Sequence, residues 1–204
     1  MNRTILVTGA SGFVGTHALE RAGAHGLEAV AARGDLRDAD TAEALVRETS
    51  PSAVLHLAST RARAGDDAWR WLADDLRMAG NVLSAVASHA PQAPVLVPGS
   101  AAEYGLARPE PVSEATPVAP VSTYGAVKSV LEEACTARAL RGNVRVIWAR
   151  SFNHVGHGQG LFAPQHGGTR QVVVHDMAKD GGLQVLPLAF VLADRDEVLS
   201  QENA

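Results

Sequence analysis

The stretch TILVTGASGFVG, residues 4–15, decides the fold. Its first residues form a continuous apolar, β-favouring run of the kind found in parallel strands that are covered on both faces. Gly9, Gly12 and Gly15 follow at once with the spacing GxxGxxG, and FVGTHALERAGAHG then carries apolar residues at helical spacing. A strand, a glycine turn and a helix in direct succession predict the start of a βαβ unit.

Each glycine of this turn has a mechanical reason: a tight turn, close approach of the backbone to a pyrophosphate, and close packing of helix on strand. The N-terminus of the helix also offers unpaired N–H groups and a partial positive charge to phosphates. The pattern therefore predicts a dinucleotide site, although a glycine turn that binds no ligand is the alternative. The candidate binding residues are Gly9, Ser11, Gly12, Phe13, Val14 and Gly15.

The residues after the second predicted strand, LEAVAA at 27–32, bear on which dinucleotide binds. An acidic residue at this point suits the ribose 2′-hydroxyl of NAD, whereas an arginine suits the 2′-phosphate of NADP. Arg33 comes first and favours NADP, while Asp35 follows closely enough to leave NAD open. An ordinary surface charge at Arg33 explains the sequence equally well.

Strands and helices continue to alternate up to about residue 151. Apolar runs predict strands at 53–59, 93–100 and 144–151, and helical spacing predicts helices at 41–48, 67–90 and 123–142. This order predicts a doubly wound parallel α/β sheet, a Rossmann fold, with its ligand crevice at the carboxyl ends of the strands. We assign residues 1–151 to this dinucleotide-binding domain.

The composition fits a globular chain of 204 residues, with 46% hydrophobic and 20% charged residues and a formal net charge of −4. No basic cluster indicates a nucleic-acid or membrane partner. A single cysteine, Cys135, excludes an internal disulfide. The apolar run at the N-terminus is too short for a signal peptide or a membrane span, so we expect a cytoplasmic protein.

The segment STYGAVKS, residues 122–129, places Tyr124 four residues before Lys128. This spacing brings both side chains onto one helix face, where an ammonium lowers the pKa of a phenol and prepares it for proton transfer. Two surface residues one helical turn apart are the simpler alternative. Ser100, at the end of a predicted strand in GSAAEYG, is placed to hydrogen-bond the same substrate oxygen as Tyr124.

Taken in order, TGASGFVG, GDLRD, VLHLAS, GSAAEYG and STYGAVK resemble the extended short-chain dehydrogenases/reductases over about residues 3–160. That family acts mainly on nucleotide sugars. The resemblance implies that Ser100, Tyr124 and Lys128 form the catalytic triad, and that Lys128 also binds the nicotinamide ribose. It places VLHLAS at the fourth strand of the family. The other implied cofactor contacts are Asp35, Leu36, Leu57, Ala58, Ser59 and Phe152.

The resemblance also bears on the reaction. Dehydratases of the family carry an Asp-Glu pair after the catalytic hydroxyl residue, where this chain has Ala101 and Ala102, so reduction or 4-epimerisation remains. ARSFNHVGHGQG, residues 149–160, resembles a stretch of reductases acting on 4-keto-6-deoxy nucleotide sugars. The implied substrate contacts are Glu103, Asn153 and His154. His154 and His157 lack a third ligand, so we predict no metal site.

Two departures from the family pattern stand out. Asp75 replaces the usual asparagine of the long helix, and Met78-Ala79 replaces its usual Gly-Thr. Residues 152–204 resemble only a remnant of the substrate-binding region, which we expect to pack on the same domain. A shortened relative with poor turnover, a small enzyme completed by a partner, and an NADP-binding regulator all fit this remnant. The resemblance also leaves a homodimer open.

Overall fold

The computed structural model describes residues 3–60, 67–106, 112–152 and 172–176. Its strands are β1 (Thr4–Thr8), β2 (Glu28–Ala31), β3 (Ala53–His56), β4 (Pro94–Pro98), β5 (Arg145–Ser151) and β6 (Val172–Asp176). Its α-helices are α1 (Phe13–Ala22), α2 (Ala39–Thr49), α3 (Ala68–His89) and α4 (Thr123–Leu140), and 3-10 turns lie at Gly23–His25 and Ala101–Tyr104. None of the helices in these ranges is long and apolar enough to cross a membrane.

The strands form one sheet in the order β2-β1-β3-β4-β5-β6. β1 to β5 pair in parallel, which confirms the predicted doubly wound sheet. β6 pairs antiparallel with β5, and the sequence pattern did not predict this strand. VLHLAS, which the resemblance places at a fourth strand, belongs to the third strand in chain order. β2 and β3 lie on opposite sides of β1, so the strand order reverses at β1. The ligand crevice of such folds therefore falls between β1 and β3.

Both faces of the sheet are packed, as the unbroken apolar runs of the strands require. Alternate side chains point to opposite faces, so Leu6 packs with residues of α2 and α3 while Ile5 and Val7 pack with Ala18 and Ala22 of α1. β5 divides in the same way: Trp148 joins the first core and Ile147 the second. The two cores fix the strand register and therefore the loops at the carboxyl ends of the strands.

Candidate active site

The glycine turn after β1 lies directly against the loop after β3. Gly9 has a φ of +64°, and a Cβ on it would lie 2.6 Å from the carbonyl carbon of Leu57 and 2.7 Å from the amide nitrogen of Ala58. A Cβ on Gly15 would collide with the backbone of Gly9 and Ala10. Larger residues at these two positions would push apart the turn, the helix and the neighbouring loop.

The first turn of α1 differs from those of the other described α-helices. Asp38, Asp67 and Ser122 each accept a hydrogen bond from the first turn of α2, α3 and α4, whereas Gly12 caps α1 with no side-chain bond. The first N–H groups of α1 thus have no side-chain acceptor at the N-cap and suit an anion. Together with the close approach at Gly9, this first turn fits the pyrophosphate of a dinucleotide.

The loop after β2 contains Arg33 and Asp35, the two residues predicted to contact the cofactor ribose or its 2′-phosphate. Asp35 accepts hydrogen bonds from the Arg37 side chain at 2.7 and 2.9 Å, which hold the pKa of its carboxyl at about 2. Arg37 also pairs with Asp74 at 3.3 Å. Arg33 lies exposed beside this cluster. Leu36 is buried in the core, so its side chain supports this loop from below.

The loop after β3 is tied to β1 through buried polar groups. The amide nitrogen of Ala58 donates to Thr8 Oγ1 at 3.1 Å, and that hydroxyl pairs with His56 Nδ1 at 2.9 Å. Burial lowers the pKa of His56 to about 4, so its imidazole is neutral at neutral pH. Leu57, Ala58 and Ser59 are thereby held at the edge of the crevice where the family resemblance places the cofactor.

Ser100 and Tyr124 come together at the carboxyl end of β4. Ser100 is the N-cap of the 3-10 turn at Ala101–Tyr104, where its hydroxyl accepts from the Ala102 amide at 3.2 Å. Burial is the largest cause that raises the pKa of Tyr124, and the nearby Ser100 hydroxyl opposes it. With 43% of its surface exposed, Tyr124 remains accessible. The arrangement gives a protonated phenol at neutral pH, as a proton donor requires.

Lys128 lies one helical turn from Tyr124, but its ammonium contacts other groups. Its Nζ lies 3.5 Å from Ser59 Oγ and 3.9 Å from Asp75 Oδ2. Burial lowers the pKa of Lys128, while the Asp75 and Glu103 carboxylates raise it. The predicted lowering of the Tyr124 pKa by Lys128 is wrong: the pKa of Tyr124 is raised, first by burial and then by the Glu103 and Asp75 carboxylates.

Asp75 occupies a central place that the sequence did not reveal. Its carboxylate accepts from Ser59 Oγ at 2.6 Å, the Thr60 amide at 2.6 Å and Trp71 Nε1 at 3.2 Å. The Trp71 ring stacks on Tyr124, with centroids 5.6 Å apart and planes inclined by 16°. Trp71 and Asp75 lie four residues apart on α3, and this spacing was the signal in the sequence for the contact between these two side chains.

Glu103, a predicted substrate contact, lies in the 3-10 turn after β4 with 0% of its surface exposed. Its Oε1 accepts from the Ser100 amide at 2.5 Å, and its Oε2 accepts from Trp148 Nε1 at 3.3 Å. Arg150 Nε lies 3.4 Å from the same Oε2. A substrate would reach this carboxyl group only if it left its pocket, so the observed contacts are those of a residue that positions Ser100.

The remaining predicted residues divide between described and undescribed parts of the chain. Phe152 packs against Tyr104 and Val112. Asn153 and His154 lie outside the described residues, so their predicted substrate contacts stay predictions. Within the described ranges, no three His, Cys, Asp or Glu side chains are close enough to hold a metal ion.

Known proteins similar to this chain are enzymes of nucleotide-sugar metabolism. GDP-6-deoxy-D-mannose reductase of Pseudomonas aeruginosa is 34% identical over 78% of this chain and 55% of its own length. UDP-glucose 4-epimerase 2 of Oryza sativa subsp. japonica is 28% identical over 76% of this chain and 45% of its own length. The chain spans about half the length of the curated relatives it matches.

The solved structure of RMD from Pseudomonas aeruginosa complexed with NADPH superposes with a TM-score of 0.69. It is 31% identical in sequence, and the match covers 78% of this chain and 56% of that one. A family model described as the NAD dependent epimerase/dehydratase family matches residues 5–186. The family match extends from β1 past β6 and includes the glycine turn, Ser100, Tyr124 and Lys128. The chain therefore belongs to the NAD dependent epimerase/dehydratase family.

Proposed function

We propose that this protein is an NADP-preferring reductase of a 4-keto group on a nucleotide-linked 6-deoxysugar. The observation that carries the proposal is that the first turn of α4, which bears Tyr124, packs against the 3-10 turn that begins after Ser100. A Cβ on Gly125 would collide with the carbonyl of Ala102, and Ser100 lies close enough to lower the pKa of the Tyr124 phenol. The glycine turn and Lys128 lie at the same edge of the sheet. A protein that only binds a dinucleotide has no use for a phenol and a hydroxyl aimed at a common point.

Held by the glycine turn and Lys128, NADPH would supply the hydride that reduces the carbonyl carbon. Ser100 donates a hydrogen bond to the carbonyl oxygen and holds it beside Tyr124. Tyr124 gives its phenolic proton to that oxygen as negative charge develops there, which completes the alcohol. Lys128, beside Ser59, orients the nicotinamide ribose and adds a positive charge near the reacting groups.

The preference for NADP rests on the loop after β2. Asp35, the acidic residue that would hold a ribose 2′-hydroxyl, is engaged by three hydrogen bonds from the Arg37 side chain. Arg33 is exposed beside it and supplies the positive charge that a 2′-phosphate requires. The NADPH-bound structure of the Pseudomonas aeruginosa relative supports the same choice.

The test is NADPH oxidation by the purified protein with a 4-keto-6-deoxy nucleotide sugar, with NADPH affinity measured separately by fluorescence titration. We expect Tyr124→Phe to lower kcat by about 100-fold or more, because the proton donor is lost, and to leave NADPH affinity unchanged. Tyr104→Phe is the matched control, since Tyr104 is only 2% exposed and its hydroxyl accepts a hydrogen bond from Arg150. Unchanged turnover in Tyr124→Phe would remove Tyr124 from the reaction.

A 4-epimerase is the second candidate, because UDP-glucose 4-epimerases also match the chain. An epimerase would use the same Ser100 and Tyr124 to remove and return a proton while its cofactor is reduced and reoxidised. The two functions separate by stoichiometry: a reductase consumes one NADPH for each product, and an epimerase shows no net consumption. Binding of NADPH with no conversion of either sugar would instead indicate a non-catalytic binding protein.

A further inference from the structure

Asp75 has an unusual surrounding for a carboxylate in the middle of a helix. It is 2% exposed, and all of its close partners are donors: Ser59 Oγ, the Thr60 amide, Trp71 Nε1 and the ammonium of Lys128. An ionised carboxylate is acceptor-only and has enough lone pairs for all four partners. The pocket is therefore matched to the charged form of an aspartate.

We propose that Asp75 is a positioning residue that joins Lys128 and Tyr124 into one unit. It holds Lys128 through the ion pair at 3.9 Å and holds Tyr124 through Trp71, whose ring stacks on the phenol. It also fixes Ser59 and Thr60 in the loop after β3. Its expected effect on turnover rests on the proposed function, whereas its effect on the Tyr124 phenol does not.

An asparagine at this position would satisfy fewer of these contacts. Its amide has one acceptor oxygen. Its NH2 group would face donors that now hydrogen-bond to the second carboxylate oxygen. Lys128, only 6% exposed, would also lose its nearest counter-charge. A buried ammonium without a partner is unfavourable, so the aspartate keeps Lys128 both charged and in place.

The charges around the phenol determine the direction of the electrostatic effect. Beside burial, which raises the pKa of Tyr124 most, the carboxylates of Glu103 on the 3-10 turn and Asp75 on α3 also raise it, and the Ser100 hydroxyl lowers it. Lys128 in turn faces Asp75, Glu103 and Cys135, and its charge acts on His56 of β3. Removal of the Asp75 charge takes away one of these two carboxylates and leaves Glu103. We therefore expect the pKa of Tyr124 to fall.

The chain contains two tyrosines, so phenolate absorbance in a pH titration reports on this directly. The transition that remains in Tyr124→Phe belongs to Tyr104, so the transition that this variant loses belongs to Tyr124. We expect Asp75→Asn to move the Tyr124 transition to lower pH without cofactor or substrate present. Asp74→Asn is the matched control, because Asp74 is the adjacent residue but pairs with Arg37, and it should leave the transition in place.

An unshifted or raised Tyr124 transition in folded Asp75→Asn would overturn the proposal. If that variant does not fold, Ser59→Ala tests the same link, because loss of the donor to Asp75 Oδ2 leaves the carboxylate less compensated and should move the transition upward. Turnover is measured separately: Asp75→Asn should lower kcat about tenfold with little change in the KM for NADPH, and move the alkaline limb of its pH profile to lower pH. If Asp75→Asn shifts the Tyr124 transition but the unmodified protein shows no turnover, the proposed function is refuted and the positioning role of Asp75 is not.

Discussion

Glu103 shares a buried site with a second carboxylate and a single guanidinium. Arg150 donates to Glu132 at 2.6 and 3.0 Å and lies 3.4 Å from Glu103. Burial, together with the neighbouring Glu132, raises the pKa of Glu103 from its ordinary 4.5 to about 8. The proton that Glu103 keeps at neutral pH lets the two carboxyl groups share one arginine without repulsion.

This shift predicts a pH dependence of stability. Between pH values of about 4.5 and 8 the native protein holds a proton on Glu103 that the unfolded chain has released, so the free energy of unfolding falls as pH rises. Above the folded pKa the contribution is level. The slope is at most about 1.4 kcal/mol per pH unit for one proton. Urea unfolding at a series of pH values measures it.

The matched variants for this measurement are Glu103→Gln and Glu133→Gln. The first keeps position 103 neutral at every pH and should flatten the slope, while the second replaces an exposed glutamate of α4 and should not. An unchanged slope in Glu103→Gln would show that another group takes up the proton.

At the scale of the elements, the contact between α1 and the glycine turn is a tight constraint. A Cβ on Gly15 would collide with the backbone of Gly9 and Ala10, whereas a Cβ on Gly80, in the exposed middle of α3, meets nothing within 4 Å. We expect Gly15→Ala to destabilise the protein by about 1–3 kcal/mol, because backbone atoms must move. Gly80→Ala should stabilise it by about 1 kcal/mol through helix propensity. Denaturant unfolding of both variants checks the contrast, and equal effects would contradict the packing argument.

The same contrast explains how much of the fold the sequence could predict. The turn, its strand and its helix were predictable because their requirements are local: an apolar run, glycines at fixed spacing, and helical periodicity. The capping box formed by Ser100 and Glu103 was also readable from the spacing S-x-x-E, although the burial of that glutamate was not.

The unpredicted parts depend on contacts between distant segments. The antiparallel strand β6 depends on the free edge of β5, which no pattern within residues 172–176 reveals. The link from Trp71 and Asp75 to Lys128 joins two helices and a loop that are far apart in sequence. The sequence showed only that Asp75 departs from the family pattern, and not which groups it would contact.

For the molecule as a whole, the described residues divide the site between its two halves. The proposed dinucleotide-binding groups come from β1, α1 and the loops after β2 and β3, and the proposed proton-transfer groups come from the loop after β4 and from α4. α3 connects them, since Asp75 contacts both the loop after β3 and Lys128. Cofactor binding is therefore expected to stabilise the fold as a unit, and its energy is measurable without any substrate.

The last prediction uses this coupling to test Arg33. A ligand at 100 times its Kd stabilises a folded protein by about 2.7 kcal/mol, so thermal shifts with NADPH and NADH rank the two affinities. If Arg33 binds the 2′-phosphate, Arg33→Ala removes a charge-assisted hydrogen bond and should weaken NADPH binding by about 10- to 100-fold, with NADH unaffected. Arg47→Ala, on the exposed face of α2, is the control. Loss of neither cofactor would make Arg33 an ordinary surface charge, and equal loss of both would exclude a specific contact with the 2′-phosphate. Either result would return the choice of cofactor to Asp35.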